Sequence, residues 1–174
     1  MSLVNDWSVR IAEEIAPDEV ELAPILADAF MAGGKERKEL FAKGGSTVGG
    51  FGSGAMAIVL PYILQALWML GQPLFTILAS DSITKFFECV TNAIKLLQTV
   101  KEQKAKIAQP LIPSENLYAP LHEIIKVMGK ELKTAGLNKD QADLVTFRVL
   151  KLMLEQPQQA TLFVQQLTRS GAKK

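Results

Sequence analysis

The chain has 174 residues, of which 48% are hydrophobic and 21% charged, and a chain of this length can bury a core of its own. Cys89 is the single cysteine and His122 the single histidine, which excludes an intrachain disulfide or a multi-cysteine metal site and leaves little material for acid–base or metal chemistry. The formal net charge of +1 hides an asymmetry, because residues 1–32 carry seven acids and one base, a net of −6 against +7 for the remainder. Such an acidic arm can pair with a basic surface inside an oligomer or form a solvated helix face.

The first fifteen residues, "MSLVNDWSVRIAEEI", have neither the basic start nor the unbroken apolar run of a secretory signal, so a cytoplasmic N-terminus is expected. Residues 3–15 fit a short helix, although "SVRI" also allows a strand. Residues 17–32 place Val20, Leu22, Ile25, Leu26, Ala29 and Phe30 near helical spacing with acids in the first turn, which predicts an amphipathic helix that Pro24 splits or kinks. Gly33 and Gly34 stop it. The following "KERKELFAK" supplies four bases and two acids, a basic flank of the kind found on the cytoplasmic side of membrane segments.

Gly44–Ser80 then runs for 37 residues without a charge. Its first part reads either as a glycine-rich hinge or as a close-packing surface, since Gly45 with Gly49 and Gly50 with Gly54 have small-xxx-small spacing. A helix is predicted from Ala55 to Leu70 and a break at "GQP". A second helix is expected from Pro73 to about Ala108, because proline is tolerated in a first turn. Ile83, Phe86 or Phe87, Val90, Ile94, Leu97 and Val100 recur at three- and four-residue steps, a narrow seam for another helix. For that seam Ile83, Phe87, Val90, Ile94 and Leu97 are the named candidates.

Three prolines in "QPLIPSENLYAP" mark a linker. Beyond it Leu121, Ile124, Ile125, Met128 and Leu132 share one helical face that ends at Gly136. Asn138 and Gln141 have the spacing of a capping box for the next helix, and Pro157 ends that helix and opens a last one. The expectation is an all-α protein: an apolar helical hairpin running into a long helix, plus a C-terminal three-helix unit. The organisation follows as 1–43 acidic arm with basic flank, 44–54 glycine-rich hinge, 55–108 hairpin and long helix, 109–117 linker and 118–174 C-terminal unit.

No residue set announces catalysis. The glycine run lacks the lysine and hydroxyl pair of a phosphate-binding loop, and no strand–helix alternation supports a dinucleotide fold. His122 and Glu123 are adjacent and point apart on a helix. Cys89 lacks a neighbouring base, which favours a structural thiol. Lysines of the C-terminal third alternate with acids as on an ordinary solvated surface, so no nucleic-acid partner, cofactor or metal is expected.

The uncharged tract therefore sets the functional expectation: a non-enzymatic, homo-oligomerising protein that places 55–80 in a membrane as an anchor or pore, with membrane lipid as a partner. Ile58, Leu60, Ile63, Leu67, Leu70, Phe75 and Leu78 would face lipid or an assembly interface, and Gln65 and Gln72 would be sheltered. The alternative is a soluble cytoplasmic adaptor or structural subunit that buries the same hairpin against a protein partner.

Overall fold

The computed structural model describes residues 1–42, 58–103 and 110–170. Among the described residues there are nine α-helices and no strand, so the fold class is all-α. The candidate close-packing glycines Gly45, Gly49, Gly50 and Gly54 lie outside the described residues.

Helix α1, Leu3–Ile15, takes its N-cap from Ser2, whose side chain accepts from the Asn5 N–H, and buries Val4, Trp7, Ile11 and Ala12. The spacing of these residues, not the β-branched "SVRI", decides the segment. A 3₁₀ turn at Pro17–Glu19 precedes α2, Ala23–Ala32. The segment 17–32 is thus split, one of the two outcomes expected at Pro24, which lies in the first turn of α2, where its missing N–H has no partner to lose. Within the basic flank, Gly34–Glu39 is a short helix, α3. Gly33 and Gly34 have φ of 72° and 54°. Side-chain-bearing residues avoid those values, and they turn the chain sharply between α2 and α3.

The uncharged tract forms α4, Leu60–Met69, and α5, Gly71–Leu78, followed by α6, Ile83–Gln103. Two expectations change here. Ile58 and Val59 precede α4 and are not helical. The predicted helix from Pro73 is divided at Ala79–Ser82, where the Ser80 hydroxyl accepts from the Ser82 N–H at 3.1 Å and competes with helix continuation. Helix α4 has 10 residues, about 15 Å at 1.5 Å per residue, against about 30 Å of bilayer hydrocarbon. No helix among the described residues is long and apolar enough to cross a membrane.

After a 3₁₀ turn at Asn116–Tyr118 come α7, Ala119–Thr134, α8, Lys139–Glu155, and α9, Pro157–Arg169. The capping box is complete: the Asn138 side chain accepts from the Gln141 N–H at 2.9 Å, and the Gln141 side chain accepts from the Asn138 N–H at 3.1 Å. Helix α4 packs on α7 and α9, α5 on the same two helices, α6 on α8, and α1 on α2, α8 and α9. One hydrophobic core runs through all of them. Trp7 stacks on Phe163 at 5.3 Å between ring centroids, joining α1 to α9.

The residues expected to meet lipid or a partner divide within this core. Leu60, Ile63, Leu67, Leu70 and Leu78 are buried inside the chain itself. Ile58 is exposed and Phe75 only half-buried; the buried face of α5 is Leu74, Ile77 and Leu78. On α6 the buried face is Phe86, Val90, Ala93 and Leu97, while Ile83, Phe87 and Ile94 flank it half-buried. The choice of Phe87 is therefore one position off, and the seam is occupied by α8 of the same chain.

Candidate functional site

The start of α4 is held by a residue from another segment of the chain. An α-helix leaves its first N–H groups without intrahelical partners, and here each is accounted for. The Val59 and Leu60 N–H groups donate to the two oxygens of the Glu19 carboxylate at 2.6 and 2.9 Å. Pro61 has no N–H, and the Tyr62 N–H donates to the Val59 carbonyl at 3.1 Å. Glu19, forty residues upstream of Val59, thus caps α4 from the 3₁₀ turn before α2. It is 9% exposed, and burial pushes its carboxyl above the usual glutamate value, against the two backbone hydrogen bonds that lower it; neighbouring Asp18 raises it further.

That anchored helix carries one wall of a cleft of about 530 Å³. Tyr62 and Gln65 come from α4, Glu131 and Thr134 from α7, and Gly34, Arg37, Lys38 and Phe41 from α3 and the turn after it. Short α3 is docked by two side chains. Phe41 meets Tyr62 edge-on at 5.1 Å, and Arg37 donates through Nη2 to Gln65 Oε1 at 2.8 Å.

Arg37 is the unusual group. Its guanidinium carbon lies 3.8 Å from the Phe30 ring centroid and 4.3 Å from that of Trp68, contacts worth about 0.5–2 kcal/mol each. Burial lowers its pKa from the ordinary arginine value, which leaves it a cation at any physiological pH. The ion pair on α3 joins Lys35 to Glu39 at 3.7 Å, and neither Arg37 nor Lys38 has an acid within ion-pair distance among the described residues. The Thr134 hydroxyl donates to the Lys130 carbonyl at 3.0 Å and keeps its lone pairs for another donor.

The other candidate residues lie elsewhere. The His122 ring nitrogen Nε2 is 2.9 Å from the Pro113 carbonyl, exposed at the start of α7. Cys89 is half-buried on α6, and burial raises its thiol pKa, which disfavours the reactive thiolate. No group of three or more metal-ligating side chains occurs among the described residues.

Sequence reading placed Arg37 in a basic flank and missed the cleft. Its partners Phe30, Gln65 and Trp68 belong to other helices, so no local spacing signals them. The "GG" before "KERKELF" carries the one usable hint, a sharp return of the chain. Comparisons with protein-family models, curated proteins and solved structures find no match.

Proposed function

We propose that this chain is a non-enzymatic helical binding domain that engages its ligand in the cleft between α3, α4 and α7. The observation that carries this reading is Arg37, a cation packed against two aromatic rings at a cleft wall with no acidic partner among the described residues. With one of its five N–H donors paired to Gln65, this guanidinium keeps donors for an anionic ligand or a further acceptor. A cleft of about 530 Å³ also falls within the size range of small-molecule sites.

This reading keeps the adaptor alternative of the sequence and replaces its buried interface with an open site. Membrane insertion of 55–80 would require α4 and α5 to leave the core. Leu60, Ile63, Leu67, Leu70 and Leu78 would each give up about 1.5–3 kcal/mol of burial before lipid repaid it. Exposed Ile25, Met69, Leu96 and Leu162 sit on four different helices, as scattered surface apolar residues ordinarily do, so contact with a second copy is not what carries the proposal.

The test is a fragment screen against the full-length chain by amide NMR, repeated on Arg37→Lys. Binders should shift Arg37, Tyr62, Gln65 and Thr134 together and weaken in the variant, which keeps charge but loses the planar fork. A screen in which no fragment moves these four residues rejects the cleft as a binding site.

A further inference from the structure

Resting on that reading, we infer that the cleft selects an amino-carboxylic acid with an aromatic body, its carboxylate on Arg37 and its ammonium on Glu131. Arg37 and Lys38 put two cations on the α3 side. The guanidinium is fixed by Phe30, Trp68 and Gln65, and of its five N–H donors Gln65 is the one acceptor among the described residues. A guanidinium fork with unused donors at a cleft wall is the group that pairs with a carboxylate through two parallel hydrogen bonds.

Phe41 and Tyr62, edge to face at 5.1 Å, form an aromatic stretch of wall that suits an offset or edge-on ring of the ligand. Glu131 and Thr134, both on α7, belong to the same lining, and Glu131 also has no ion-pair partner among the described residues. An acid and a hydroxyl oxygen ask for a donor, and an ammonium supplies three.

The lining holds two cations and one anion, a net of +1, which calls for an anionic group on the ligand, and Glu131 adds repulsion against a phosphate dianion and attraction for an ammonium. Size agrees, because a cleft of about 530 Å³ lies in the range of small-molecule sites.

The experiment is calorimetric titration of the full-length chain with four probes: L-phenylalanine, phenylacetate, phenethylamine and inorganic phosphate. L-Phenylalanine should bind best, with phenylacetate and phenethylamine each weaker by about tenfold or more, as expected for losing one charge-assisted contact. Arg37→Lys should weaken L-phenylalanine and phenylacetate by roughly ten- to hundredfold and leave phenethylamine little changed. Glu131→Gln, a half-buried position whose side chain makes no hydrogen bond or ion pair with the described residues, should fold normally and bring L-phenylalanine down to the affinity of phenylacetate. Tighter binding of phosphate, or an Arg37→Lys loss equal for all four probes, overturns the assignment. Failure of all four probes while other fragments shift the cleft residues overturns the ligand class alone; failure of every fragment overturns the binding reading with it.

Discussion

Glu19 offers the sharpest test of how this fold is held together, because one side chain caps a helix forty residues away. Glu19→Ala leaves the Val59 and Leu60 N–H groups without the acceptors now at 2.6 and 2.9 Å. Each unpaired buried donor costs about 1–3 kcal/mol, so the variant should lose roughly 2–5 kcal/mol, equivalent to a melting temperature lower by about 4–20 °C for a chain of this size. Glu19→Gln keeps one acceptor oxygen and removes the buried charge, and should cost less than Glu19→Ala at neutral pH.

The pH dependence follows from the direction of the shift. The folded carboxyl has a higher pKa than the unfolded one, chiefly through burial, so between the two values the folded state binds more proton than the unfolded state and stability falls as pH rises. Glu19's contribution is fully present below the ordinary glutamate value and diminishes as pH rises through the raised one. Urea melts of wild type and Glu19→Gln across this window cancel the other acids, and the wild type should lose stability relative to Glu19→Gln as pH increases. A Glu19→Ala cost below about 1 kcal/mol would falsify the capping account, and a flat difference or an opposite slope would refute burial as the dominant influence on its carboxyl.

Three further substitutions probe packing and backbone. A Cβ at Gly71 would lie 3.0 Å from the Thr168 methyl carbon, which is held in place by the Thr168 hydroxyl bonded to the Val164 carbonyl at 2.9 Å; Gly71→Ala should therefore cost about 1 kcal/mol or more, and Thr168→Ser in the same chain, which deletes that methyl, should restore stability in a thermal melt. Gly33→Ala meets no neighbouring atom but keeps a φ of 72°, so it should cost about 1–3 kcal/mol through backbone strain alone and weaken cleft binding by loosening α3, both read by melting and titration. Phe86→Ala should destabilise by about 3–5 kcal/mol and half-buried Phe87→Ala by clearly less; equal losses in denaturant would contradict the assigned face of α6.

What was legible in the sequence was what depends on near neighbours. The Asn138–Gln141 capping box and the opening of α9 at Pro157 could be read directly, because their determinants lie within four residues of one another. The all-α class followed from helical periodicity, and the absence of charge over 60–78 was in keeping with the burial of Leu60, Ile63, Leu67, Leu70 and Leu78. The same run could not name its solvent. Lipid and a protein interior are both apolar, and the packing of α4 and α5 on α7 and α9 could not be read from the tract itself. Nor could local spacing choose between adjacent Phe86 and Phe87, since a rotation of one residue is decided by where α8 lies. The cap of α4 and the cleft depend on still longer reach: Glu19 meets Val59, and Arg37 meets Gln65 and Trp68, only after separate helices are packed. Periodicity records which face of a helix is apolar, whereas polar side chains bridging separate helices are placed by the tertiary fold alone.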